Sequence, residues 1–177
     1  LVRNSDDDWC LLTDILGEMI GELSVSHSYT GGGDTGGQIQ RRPVARLAAD
    51  LEADAKAGLY RIKHLYPGDG YSAGTRSPLL EPGLGVKEGD YLVAIAGEPI
   101  ALDRDPNALL VGKAGKVVSL KVNDKPSAEG AKTIRVKPLP GDGAARDADW
   151  VESRRAYVAS KDPRIGYMYF SNIGDES

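Results

Sequence analysis

The chain has 177 residues, 41% hydrophobic and 27% charged; this fits one well-cored domain of about 100–150 residues with appendages and excludes a disordered chain. Its formal net charge of -4 speaks against a nucleic-acid partner, because such binders draw affinity from clustered Lys and Arg. Cys10 is the single cysteine, which excludes an internal disulfide and a zinc site built from cysteine pairs, and no apolar run nears the roughly 20 residues that span a bilayer.

From Trp9 to Leu23 the residues Trp9, Leu12, Ile15, Leu16, Met19, Ile20 and Leu23 recur at helical spacing, with Asp14, Glu18 and Glu22 opposite. This pattern predicts an amphipathic helix with Asp6 or Asp7 capping its start. Gly17 and Gly21, one turn apart, weaken helix propensity, so close packing against another element is expected there. The β-prone stretch Val25 to Thr30 follows, and Gly31-Gly32-Gly33-Asp34 opens a polar segment reaching Arg42. A first boundary is placed there.

From Pro43 the pattern is one of short strands. Val44 to Glu52 and Leu59 to Tyr66 read as a hairpin turning at Lys56-Ala57-Gly58. Tyr91-Leu92-Val93-Ala94-Ile95 is continuously apolar, as a strand covered on both faces is, and predicts the central strand. Pro106 opens a short helix over Asn107 to Val111, ended by Gly112. Val118, Leu120 and Val122, then Ile134 and Val136, alternate with polar residues and predict two half-buried strands. Pro138 to Ala148 reads as a linker, Asp149 to Ala159 as a short helix, and Arg164 to Phe170 as a final strand without a partner in the tail.

Gly85-Val86-Lys87-Glu88-Gly89-Asp90 leading into Tyr91 to Ile95, then Ala96-Gly97-Glu98-Pro99-Ile100, resembles the most diagnostic segment of bacterial PDZ domains. Upstream, Gly21-Glu22-Leu23-Ser24-Val25-Ser26-His27-Ser28-Tyr29 resembles the stretch that carries the catalytic histidine in tricorn-type proteases and their carboxy-terminal processing relatives. Val122 to Gly130 and Arg164-Ile165-Gly166-Tyr167 are similar to the end of the PDZ domain and the first strand of the next core half. The pieces occur in the family's order and cover nearly the whole chain. The fold expected is α+β: residues 1–42 end one half of a catalytic core, 43–139 form a PDZ-like partial β-barrel, 140–163 form a linker and helix, and 164–177 begin the second half as an orphan strand. The opening at Leu1 rather than Met fits a piece of a longer protein, so a missing signal peptide says nothing about the parent.

The resemblance implies a serine endopeptidase acting on peptides or unfolded protein, with no cofactor, no metal and a homo-oligomeric parent. The compartment is cytoplasmic in tricorn-like relatives and periplasmic or exported in processing relatives. His27 takes the role of general base and Ser26 of a hydroxyl hydrogen-bonded to it, while the nucleophile and its acidic partner lie beyond Ser177, so this piece alone is expected to cut nothing. Imidazole suits that role because it titrates near pH ~6.5; without the resemblance, a single histidine is ordinarily a satisfied strand or loop residue. Neighbouring side chains on extended backbone point apart, which argues against Ser26 as the nucleophile. His64 alternates with Tyr60, Ile62 and Tyr66 and reads as a packing residue.

Gly70-Tyr71-Ser72-Ala73-Gly74 satisfies the Gly-x-Ser-x-Gly pattern of a nucleophile elbow, but Pro67-Gly68-Asp69 precedes it, Pro78 and Pro82 follow, and no histidine occurs after Ser72. Gly31-Gly32-Gly33 lacks the Lys-Ser/Thr and the helix of a phosphate cradle. The competing class is a non-catalytic peptide-binding adaptor. PDZ domains take a peptide as an added strand, and by position Leu47, Ala48, Ala49, Asp50 and Leu51 edge that groove with Leu109 and Leu110 opposite. Ala45-Arg46 stand where a glycine-containing carboxylate loop is usual, which weakens carboxylate recognition.

Overall fold

A computed structural model describes residues 5–24, 27–30, 42–72 and 74–171, with backbone alone for 5–10. The chain divides into two units, Leu1–Arg41 and Arg42–Ser177.

In the first unit, helix α1 runs Ser5–Glu22. It begins four residues ahead of the periodic apolar pattern, so Asp6 and Asp7 stand inside the first turn, where carboxylates favour the positive end of the helix dipole, rather than ahead of it as caps. The last turn tightens through Leu23 N–H to Ile20 C=O at 3.1 Å, and Ser24 adopts φ 49°, the left-handed conformation that commonly ends helices. Thr30 donates its hydroxyl to the Thr13 carbonyl at 3.4 Å and lies 3.9 Å from where a Cβ on Gly17 would stand. A Cβ would fit at that distance, and Gly21 has nothing so close among the described residues, so close packing there explains neither glycine of the expected pair. Leu12, Ile15, Leu16, Met19 and Leu23 are all exposed.

The second unit is built on a six-stranded antiparallel sheet. Its strands are β1 (Ala49–Asp54), β2 (Leu59–Leu65), β3 (Tyr91–Ile95), β4 (Glu98–Pro99), β5 (Val118–Asn123) and β6 (Lys132–Val136). The order is β1-β2-β3-β5-β6, with β4 paired to β3. The β1–β2 turn is fixed by Asp54, whose carboxylate accepts the Lys56 and Ala57 amides at 3.1 Å, and by Gly58 at φ 68°. Ala96 and Gly97 both have positive φ, 53° and 87°, the requirement of the two-residue turn that matches strand twist. β3 is central, as its unbroken apolar run predicts.

The core gathers Ile62, Leu92, Ile95, Leu110, Leu120 and Val122, each at most 1% exposed. Ser77, fully buried, donates its hydroxyl to Leu47 C=O at 2.7 Å and accepts the Leu79 amide at 3.2 Å. A polar side chain is tolerated there because both of its hydrogen-bonding roles are filled.

Three expectations are corrected. The first strand does not run continuously from Val44: Val44 bridges Val111 and Arg46 bridges Leu139, and Ala48 at φ 46° kinks the chain before β1. The expected short helix is present as a 3₁₀ helix over Pro106–Leu110, opened by Asp105 capping the Asn107 amide at 2.8 Å. Helix α2 spans Gly143–Lys161, absorbing half of the expected linker; Ala144 and Ala145 are strong helix formers, and Ala145 is fully buried against Ala48 and Tyr66. Residues 164–170 form no strand, since an extended segment without a hydrogen-bonding neighbour has no ladder to join.

Candidate functional site

His27 lies in the turn after α1, exposed to solvent, with its backbone at φ 65°. A left-handed conformation at a non-glycine residue costs of order 1–3 kcal/mol and persists only where its surroundings impose it. Ser26 lies outside the described residues, as do the Gly31-Gly32-Gly33 segment and Ala73 of the serine motif.

The expected groove residues separate into two sets. Ala49, Asp50 and Leu51 on β1 line a cavity of about 230 Å³ together with Asn107 of the 3₁₀ segment and Arg146 of α2. Leu47 contributes to its wall although nearly buried, whereas Ala48, Leu109 and Leu110 are buried in the interior. The left-handed Ala48 occupies the place where a glycine would have signalled a special backbone, which is why no residue type marks it in the sequence.

The residues that the sequence does not single out are Tyr66, Asp142 and Arg146. Arg146 sits between two carboxylates, Asp50 at 2.9 Å and Asp142 at 3.0 Å. It also donates to the Tyr66 hydroxyl at 2.6 Å and lies over that ring at 4.9 Å. The Tyr66 hydroxyl in turn donates to Asp50 at 3.0 Å. Burial works against the charge of Arg146, but the two carboxylates outweigh it and hold the guanidinium protonated. Burial, then the Asp50 hydrogen bond, push the Tyr66 phenol up. The only advance signal was the spacing Asp142-x-x-x-Arg146 on one helix face; Tyr66 is 80 positions from Arg146. Arg146 is thus already matched by Asp50 and Asp142, while Arg46 adds a second cation to the cavity wall.

Next to this cluster, His64 bridges β2 to α2. Its Nδ1 lies 2.7 Å from Glu88 and its Nε2 3.2 Å from Asp149, and its ring packs edge-on against Tyr66. Its packing role is as expected, and the two carboxylates extend it. Burial lowers its pKa, yet Asp149 and Glu88 together raise it above the ordinary value. A raised pKa stabilises the fold fully below pH ~6.5 and ceases to do so as pH climbs through the folded-state value. We expect the urea midpoint to fall between pH 6 and 8 by an equivalent of less than about 1 kcal/mol, because the ring is partly exposed. His64→Gln should flatten that dependence; an unchanged slope would assign it elsewhere.

Ser72 is no nucleophile elbow. Asp69 accepts the Tyr71 and Ser72 amides at 2.9 and 2.8 Å and the Thr75 hydroxyl at 3.0 Å, forming a capped loop rather than a strand-to-helix turn. These bonds, the Ser72 amide foremost, hold the Asp69 carboxyl far below the usual range. Among the described residues no group of three His, Cys, Asp or Glu is placed to hold a metal ion, and no helix is long and apolar enough to cross a membrane.

Residues 45–141 match the family model of the tricorn protease PDZ domain. The chain belongs to the tricorn protease PDZ family. It is 38% identical over 163 residues to tricorn protease homolog 1 of Streptomyces coelicolor, covering 92% of this chain and 15% of that relative. It is 30% identical over 164 residues to the tricorn protease of Thermoplasma volcanium, again covering 92% of this chain and 15% of the relative. The crystal structure of the tricorn protease superposes with a TM-score of 0.68 at 30% identity over 89% of this chain and 15% of that one. The tricorn-type match therefore extends beyond the PDZ domain into both flanks, yet the chain spans about a seventh of the relatives' length.

Proposed function

We propose that this chain is the piece of a tricorn-type serine endopeptidase that carries the catalytic histidine and a peptide-binding PDZ domain. The observation that carries the reading is the exposed His27, held in a left-handed turn within a chain whose likeness to tricorn proteases covers 92% of its length. An exposed imidazole on constrained backbone suits a base that must meet a hydroxyl from another part of the protein. In this reading Ser26 hydrogen-bonds the imidazole, the nucleophile and its acid lie beyond Ser177, and peptides or unfolded proteins are the substrates. The parent is a cytoplasmic homo-oligomer and requires no cofactor.

The test is fluorophosphonate labelling of the intact protease. One serine outside this chain should be modified with loss of peptide hydrolysis, and the 177-residue chain alone should neither label nor cleave. Modification of Ser26 or Ser72 instead would overturn the assignment.

The cavity beside β1 supports peptide binding as a contribution to that activity, or as the whole function of a non-catalytic adaptor. At about 230 Å³ it is smaller than the ~300–1,000 Å³ of pockets that take drug-sized ligands, so one peptide side chain fits while the backbone lies along β1. Asp50→Ala should shift the amides of Ala49, Leu51 and Asn107 and alter the affinity of any peptide that titrates them. A peptide library that perturbs none of these amides would discard the groove.

A further inference from the structure

Beyond that cavity, we propose that the free edge of β6 is a second docking site, taking an extended peptide with alternating acidic and aliphatic side chains. In the sheet order β6 is terminal, and among the described residues it pairs with β5 alone. The Ala96 amide donates to Ser119 C=O at 2.7 Å, so the backbone of Ser119 faces β3, and that of Val118 and Leu120 faces β6. Antiparallel ladders alternate in this way. Opposite them, Val136 and Ile134 bond inward, whereas Thr133 and Arg135, with Arg135 registered on Ser119, turn their N–H and C=O to the open edge.

A slot of about 680 Å³ lies along that edge, touched by Arg135, Val136 and Lys137 in succession. Successive strand residues point to opposite faces, so Arg135 and Lys137 share the exposed face while Val136 turns to the core. Its far wall is formed by Arg76 and Pro78, and Val117 adds an exposed aliphatic surface. The Arg76 guanidinium is held by donation to Leu80 C=O at 2.7 Å. Three cations line the slot against one acid, Glu81.

Lys and Arg on an edge strand can serve merely to repel other edges. Repulsion needs no opposite wall, and here a wall stands across a slot nearly three times the volume of the cavity beside β1. Charge complementarity selects the occupant. Acidic side chains at alternate positions meet Arg135 and Lys137 as cross-strand pairs, with Arg76 opposite, and the intervening aliphatic side chains lie on the Val136 side.

The probe is a fluorescein-labelled peptide of alternating glutamate and valine, about nine residues long, which exceeds the ~17 Å of a five-residue strand. Both its ends are capped, so recognition of a terminal carboxylate is removed. Titrated into the protein, it should give saturable anisotropy that weakens with salt, with amide shifts at Thr133, Arg135 and Lys137 and along the Arg76 wall. The paired change Arg135→Glu and Lys137→Glu should weaken binding about tenfold or more. Thr133→Pro, which deletes an outward amide at an edge where proline is tolerated, should weaken it comparably without altering charge. If Thr133→Pro fails to fold, the charge-reversed variant and the shift map decide. Absence of saturation, shifts confined to the cavity beside β1, or an affinity that survives either folded variant would overturn the proposal.

Discussion

His27→Ala in the intact protease should lower kcat by about 10²–10⁴-fold, the contribution of a positioned general base, while KM changes little. The asymmetry follows from the placement of the imidazole. His27 sits in the unit Leu1–Arg41, whereas the β1 cavity and the β6 slot belong to the unit Arg42–Ser177. His27 lines neither the β1 cavity nor the β6 slot, and a loss in kcat with KM held is the signature of an interaction made in the transition state. His27 is exposed, so truncation opens no cavity in this chain and the variant should fold normally. Steady-state kinetics on a fluorogenic peptide would check it. Unchanged turnover would remove His27 from the chemistry, and loss of both kcat and soluble protein would instead make it a structural residue.

The sheet was legible in the sequence where local pattern and tertiary environment agree. Tyr91 to Ile95 is apolar throughout because β3 lies between β2 and β5, and the Val118 to Val122 alternation is that of a strand with one face on the core. The pattern failed where local signal is absent. Ala48 takes a left-handed φ that alanine does not advertise, so the strand expected from Val44 is broken without warning. Helix α2 begins earlier than expected because glycines and prolines over 138–143 mask Ala144 and Ala145, and the burial of Ala145 against Tyr66 is a long-range event. The Arg146–Asp50–Tyr66 cluster was invisible for the same reason: its members are ordinary surface types until the fold joins α2 to the hairpin. The catalytic candidate was the reverse case, prominent by resemblance while its neighbour Ser26 lies outside the described residues. The decoy at Ser72 was rejected by its flanking prolines, and the Asp69 hydrogen bonds supply the physical reason for its loop.

Leu92→Ala should be among the most destabilising single truncations of this chain, costing about 2–5 kcal/mol. Leu92 is fully buried and sits in the central strand, registered with Tyr60 on one side and Val122 on the other. Neighbours on two strands of the hydrogen-bonded sheet can move little to fill the void, so the cost includes the cavity as well as lost burial. Against a typical stability of about 5–15 kcal/mol, that loss would lower the urea midpoint of the second unit substantially at unchanged slope. Leu12→Ala provides the contrast, since Leu12 on α1 is 44% exposed and the same chemical change should shift stability by no more than about 0.5 kcal/mol. Equal effects of the two substitutions would mean that β3 does not organise the core, and with it the placement of β1, β6 and both proposed peptide surfaces would fall.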